Sequence, residues 1–209
     1  MARVKFPVLV VLFAALAMAG ASQRAGALVR CGPWDQPGPG IQLCEAGIRS
    51  TLLDVTASDR QQASEWCWAA SISAVFHYYG HPVSQERIVK EAYGKIVNMP
   101  GTPQAILGAL NRVWIDDNGG RFRASGDTRS ASIVTAAQDL ANDKPLIIGS
   151  RGHAMVLTDL VYTRDHDGRG RPQSATVRDP WPYNPGKRLL TPQEWNGTRF
   201  LARIRVANI

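Results

Sequence analysis

The sequence predicts a single α+β domain, with a helical first half packed on an antiparallel sheet built from the second half. Three observations carry this expectation. Between Trp66 and Asn142, apolar residues recur at helical spacing in four runs separated by Gly, Pro or polar turn residues. After Pro145 the texture changes to short runs rich in Leu, Ile and Val, bounded by Gly and charged residues. The segment Asp165-His166-Asp167-Gly168-Arg169-Gly170 has hairpin-turn chemistry and would join two of those runs antiparallel. Helices that precede strands, rather than alternating with them, point to α+β architecture.

In chain order, Arg3 and Lys5 precede an apolar run from Phe6 to Ala19 that is too short to span a bilayer comfortably. Ala19-Gly20-Ala21 and Ala25-Gly26-Ala27 both fit a small-x-small cleavage site, so residues 1–27 read as a signal peptide. The expectation is an exported protein, secreted or periplasmic, with no stable membrane insertion once the signal is cut. An uncleaved anchor is the competing reading. Residues 28–50 are rich in turn formers and read as an irregular N-terminal arm. Two of the three cysteines, Cys31 and Cys44, lie in it and would pair in an exported protein, leaving Cys67 over. A disulfide closing so short a loop contributes about 3 kcal/mol on a chain-entropy argument. Residues 51–209 then form the domain, large enough to bury a core without a structural metal.

Within the domain, Thr51-Leu52-Leu53-Asp54-Val55-Thr56 reads as a short strand. Trp66 to Tyr79 reads as a helix with Trp68, Ile72, Val75, Phe76 and Tyr79 on one stripe, stopped by Gly80 and Pro82. Ser84 can cap a second helix through Tyr93, closed by Gly94. Thr102 with Pro103 at the first helical position opens a third, running to about Trp114. A turn at 116–120, a short strand at Arg121–Arg123 and a helix from Ser132 to Asn142 follow. Strands at 146–149, 153–163, 174–178 and 199–206 complete the pattern.

The formal charge is +7, and a cut after Ala27 removes Arg3, Lys5 and Arg24 but no acid, lowering it to +4. The basic residues are scattered and not interleaved with aromatics, which argues against nucleic-acid binding. The pair His77 and His81 has zinc-site spacing, but Gly80 and Pro82 break the helix that would aim both rings. Asp165 to Gly168 lacks the later ligands of a calcium loop. Asn196-Gly197-Thr198 is a glycosylation sequon, relevant only in a host with that machinery. No metal or organic cofactor is implied.

The chemistry centres on Cys67. It stands at the first turn of the expected helix, where the helix dipole favours a thiolate, the nucleophilic form. His153 opens a strand after the flexible Arg151-Gly152 step and suits a positioned base. His77 lies ten residues along the Cys67 helix, about 15 Å away by helical rise, and is too far to share a proton. Asp179, at the end of the next strand, would accept the His153 ring N–H and fix its tautomer. Trp181 would cover that hydrogen bond. Gln61, six residues before Cys67, could donate to an oxyanion beside the Cys67 N–H, with Gln62 as the alternative.

The run from Gln61 through Cys67-Trp68-Ala69-Ala70, then Gly152-His153-Ala154 and Asp179-Pro180-Trp181, resembles the papain-like cysteine proteases. The Trp66-Cys67-Trp68 core and the brevity of the chain are most similar to small bacterial branches, the bacteriocin-leader peptidases and the secreted papain-like effectors of plant pathogens. Ser64 stands where the papain signature has a second Cys, the third catalytic member is Asp rather than Asn, and the Cys-to-His interval is shorter than papain's. The resemblance implies a hydrolase of peptides or proteins acting through Cys67, His153, Asp179 and a thioacyl intermediate, and a monomer is the expected state. Another thiol acyl enzyme, transglutaminase-like or a cell-wall amidase, stays open beside it, as does a non-catalytic module on the same fold.

Overall fold

The computed structural model describes residues 29–49 and 60–209. The expected signal peptide and the strand at 51–56 lie outside the described residues. Strand β6 (His153–Asp165) organises the sheet. Along one edge its first half pairs with β5 (Leu146–Ser150), from Ser150↔His153 to Leu146↔Leu157. Along the same edge its second half pairs with β2 (Ile41–Gly47), which is bordered by β1 (Arg30–Cys31). The other edge of β6 carries β7 (Gly170–Arg178) and, beyond it, β8 (Lys187–Leu189). Past β5 the sheet continues through β9 (Thr198–Asn208) and β4 (Arg121–Asp127) to β3 (Val113–Ile115). Among the described residues every pairing between strands is antiparallel, so the α+β expectation is met.

The pleat sends successive side chains to opposite faces, and both faces are covered. Ile147, Ala154, Val156, Ala202 and Ile204 pack into one core with α1 (Cys67–Tyr78), α2 (Gln85–Tyr93) and α3 (Pro103–Leu110). Leu146, Ile148, Met155, Leu157 and Val177 pack into a second core with α4 (Ile133–Ala141). The molecule is therefore three layers, with a sheet between helices. α1 is apolar nearly all round, with Trp68, Ile72, Val75 and Phe76 at most 1% exposed, as a helix at the centre of a domain must be. Ser84 and Thr102 cap as the sequence predicts, accepting from Arg87 and Ala105 N–H, and Ser132, expected inside its helix, stands at the N-cap and accepts from Thr135 N–H.

Three expectations are corrected. The N-terminal arm is not irregular: β2 hydrogen-bonds along β6, with Cys44 and Ala46 buried, because its alternate residues are apolar enough to face the second core. The Cys31–Cys44 disulfide staples β1 to β2 at their Cys31↔Cys44 register pair. The third helix ends at Leu110, and Val113–Ile115 is a strand whose Trp114 faces Phe122 in register, buries its ring and donates its indole N–H to Ala109 O. The strand expected at 174–178 begins at Gly170, and two elements are new: β8 and the short helix α5 (Pro192–Asn196).

Candidate active site

Three chain segments meet at Cys67. The first is the N-terminus of α1. Cys67 is its first residue, 8% exposed; no side chain caps this end and its first turn holds no acid. First-turn N–H groups of a helix lack intrahelical acceptors, so they remain available to negative charge beside the sulfur. The neighbouring tryptophans fasten the 97–99 segment: Trp66 Nε1 donates to Val97 O (2.8 Å) and Trp68 Nε1 to Met99 O (3.2 Å). Gly101 then lies so close to Trp68 that a Cβ there would stand 2.3 Å from the indole Cγ.

The second segment is the start of β6. His153 follows a two-residue turn whose residues, Arg151 (φ 52°) and Gly152 (φ 81°), are both left-handed. The next N–H, that of Ala154, donates to Cys67 Sγ at 3.4 Å. The His153 ring is hydrogen-bonded through Nε2 to Asp179 Oδ1 at 2.7 Å and lies near enough to Cys67 to feel its charge. Burial works against the charged ring, but the hydrogen bond to Asp179 and the negative charges of Asp179 and Cys67 outweigh it, raising the His153 pKa from 6.5 to about 9.

The third segment follows β7. The Asp179 side chain is fully buried and every oxygen is used: Oδ1 accepts from His153 Nε2 and Trp181 N–H, and Oδ2 from Asn184 Nδ2 and Arg188 Nε, both at 2.7 Å. Desolvation would raise its pKa; these donors, His153 first among them, hold it well below the usual carboxylate range. Arg188, on β8, grips Glu194 of α5 with both terminal nitrogens, at 2.6 and 2.9 Å. Glu194 also closes the Thr191 capping box, and Arg188 depresses its pKa to about 2. Trp181 stands edge-on to the His153 ring, 6.3 Å between centroids.

The helical and sheet portions are stitched together just outside these groups. Gln61 N–H donates to Pro180 O, and Arg60 Nη1 to the carbonyls of Asp179 and Trp181. Gln85, at the start of α2, accepts from Gln62 N–H and donates to Arg60 O. Gln61 itself is 6% exposed, and its amide nitrogen donates to Ala63 O (2.9 Å) and Ser64 O (2.8 Å). The opposite amide orientation would set its oxygen against two carbonyls. Both amide hydrogens are thus engaged, while Gln62 is exposed.

The other histidines serve elsewhere. His77 is exposed on α1, and His166 stacks on Trp34 at 4.0 Å. His81 is buried between Asp116 Oδ2 and Asn208 Oδ1, at 2.7 and 2.6 Å, which removes it from any pairing with His77 on a metal. A cleft of about 400 Å³ opens at Cys67, lined by Trp68, Pro103, Ile106, Ala154 and Phe200 among others. A second cavity, about 630 Å³, lies on the β1–β2 hairpin and holds neither a nucleophile nor a base. Sequence reasoning names Cys67, His153 and Asp179, which the structure brings together. It misses Asn184, Arg188, Glu194 and the Ala154 N–H. Of these only Glu194 has a local signal, the Thr191-Pro192-Gln193-Glu194 capping-box pattern.

The family model described as "Peptidase_C39 like family" matches residues 53–202. No curated protein matches the chain. Among solved structures, a double glycine motif protease from an AMS/PCAT transporter, in complex with the leader peptide, is 18% identical with a TM-score of 0.43, covering 72% of this chain and 89% of that one. The peptidase domain of Streptococcus ComA, a bi-functional ABC transporter involved in a quorum sensing pathway, is 16% identical with a TM-score of 0.46, covering 72% and 97%.

Proposed function

The chain belongs to the C39-like peptidase family and is a papain-like cysteine peptidase; on that premise we propose that it hydrolyses peptide bonds through a Cys67-His153-Asp179 triad. The observation that carries this reading is the His153 ring, bonded to a buried, fully ligated carboxylate at 2.7 Å, on the residue whose neighbour Ala154 donates its N–H to the Cys67 sulfur. Asp179 occupies Nε2 and so leaves Nδ1 for the sulfur.

In this mechanism His153 takes the thiol proton, and the resulting thiolate is held by the imidazolium, the Ala154 N–H and the first turn of α1. Sγ attacks the peptide carbonyl, and the Cys67 N–H receives the oxyanion. His153 protonates the departing amine from Nδ1, breaking the C–N bond and leaving a thioacyl enzyme. Water, deprotonated by His153, attacks that thioester; the acid product leaves and the thiol is restored. Asp179 keeps the ring oriented and stabilises its cationic form. Gln61 shapes the turn before α1 and joins the oxyanion site when its Ala63 or Ser64 contact opens.

The proposal extends to export. The Cys31–Cys44 disulfide suits an oxidising compartment, and the basic, apolar, small-residue order of residues 1–27 is that of a cleaved signal. N-terminal sequencing of the protein recovered outside the cytoplasm should begin at Leu28, or at Ser22 if the earlier site is cut; a chain beginning at Met1 would refute it.

Mass spectrometry of a peptide mixture incubated with wild type and with Cys67→Ala tests the chemistry. New peptide termini that depend on Cys67 are expected. Amine-to-glutamine joining in their place would mark a transferase. Failure of a thiolate-selective epoxide to label Cys67 in folded protein would support a non-catalytic module.

A further inference from the structure

Arg151 and Arg199 line the cleft at Cys67, both exposed and neither in an ion pair among the described residues. The other lining side chains near them are apolar, among them Trp68, Pro103, Ile106 and Phe200, and among the described residues no Asp or Glu lines the cleft. Charges on low-dielectric walls with no counter-charge focus their field into the opening.

The position of Arg151 is imposed by backbone. It is the first residue of the turn joining β5 to β6, closed by the Ser150↔His153 pair, and it is left-handed at φ 52°. Asn or Asp normally precedes Gly in such a turn, because at positive φ the Cβ crowds a backbone carbonyl and their short polar side chains offset that cost by bonding locally. Strained backbone kept beside a catalytic residue points to a role for the side chain. The stem of that side chain lies over Gly197, where a Cβ would come within 2.7 Å of Arg151 Cγ, and Arg151 N–H donates to Gly197 O. β9 starts at the next residue and carries Arg199 and Phe200 into the cleft wall. Two separate strand ends therefore bring exposed arginines to the lining of one largely apolar cavity.

We propose that Arg151 and Arg199 form an anion-selecting rim, so that the enzyme prefers acidic peptides. An apolar side chain enters the cavity, and an Asp or Glu close to it along the peptide pairs with the two guanidinium groups. This rests on the peptidase reading, and its test is built to fail separately from that reading.

A panel of unstructured peptides with Glu, Gln or Lys scanned through each position is measured in two ways: binding to Cys67→Ala by fluorescence anisotropy, and kcat/KM with wild type. At adjacent positions on one side of the scissile bond, Glu should exceed Lys by roughly tenfold, as two part-exposed ion pairs allow. The difference should shrink at high salt. The double variant R151E/R199E should favour Lys at those positions. R121E/R123E, which makes the same charge change on exposed residues of β4, should leave the preference intact. Equal binding of Glu and Lys peptides at every position, or a preference that survives R151E/R199E, would overturn the proposal. If wild type cleaves no peptide, the peptidase reading fails and the binding arm alone decides the rim.

Discussion

On the helical side of the cleft, Cys67 is held by a buried helix end and by two indoles whose N–H groups fasten the 97–99 segment. On the sheet side, His153 is held by a relay of polar groups: Asp179, then Arg188 and Asn184, then Glu194. Packing and backbone place the nucleophile; charge places the base. The difference teaches where each side is vulnerable. A packed helix end is indifferent to pH and tolerates loss of one sulfur. A buried relay needs every partner, because removing one leaves another charged and unpaired.

The largest break comes from Cys67→Ala. Turnover should fall by at least roughly 10⁴-fold, as for other covalent nucleophiles, while the thermal midpoint stays nearly unchanged. Unaltered turnover would end the assignment of Cys67.

Asp179→Ala should strike both readouts. We expect about a 10²-fold loss of kcat from a misoriented base, milder than loss of Cys67 or His153, together with about 3 kcal/mol lower stability in urea because the Arg188 guanidinium loses its fully buried partner. A stable variant would show that packing, not charge, holds the sheet side.

Arg188→Met leaves Asp179 with His153 and Asn184 but frees Glu194. A loss of about 2 kcal/mol and a smaller fall in kcat than in Asp179→Ala are expected. Equal kcat losses would mean that the guanidinium matters to the reaction as much as the carboxylate does.

The pH profile reads the same relay. Because the folded His153 pKa is raised from 6.5 to about 9, the imidazolium persists through neutral pH, and kcat/KM should fall as pH rises through about 9. The stability contributed by the raised His153 pKa is fully present below about 6.5 and is lost over the same rise to about 9. In Asp179→Ala the basic limb should move to lower pH; an unmoved limb would mean another group titrates there.

The smallest effect should be that of Gln61→Ala, about tenfold on kcat, because its amide hydrogens are engaged by Ala63 and Ser64. A loss of 10²-fold or more, the usual cost of an oxyanion donor, would promote Gln61 to a principal one.

Legibility followed range. Caps at Ser84 and Thr102 and the first turn of α1 around Cys67 are local, and the sequence marks them. The end of α3 is not marked, because 113–115 reads equally as helix or strand until Phe122 supplies a partner for Trp114. β2 hides behind its turn-rich flanks, and α5 is too short for periodicity to reveal.

By itself, the sequence determined the helix N-terminus that carries the thiol, the strand that opens on His153 and the carboxylate that ends the next one. These are one-dimensional features, set by capping, period and turn chemistry within a few residues. Only the tertiary structure decided that the N-terminal hairpin joins the sheet, that Ala154 N–H meets the sulfur, and that Arg188 and Glu194 back the Asp179 carboxylate. Those contacts depend on strand register and on which side chains share a buried volume, and no local stretch of sequence encodes either.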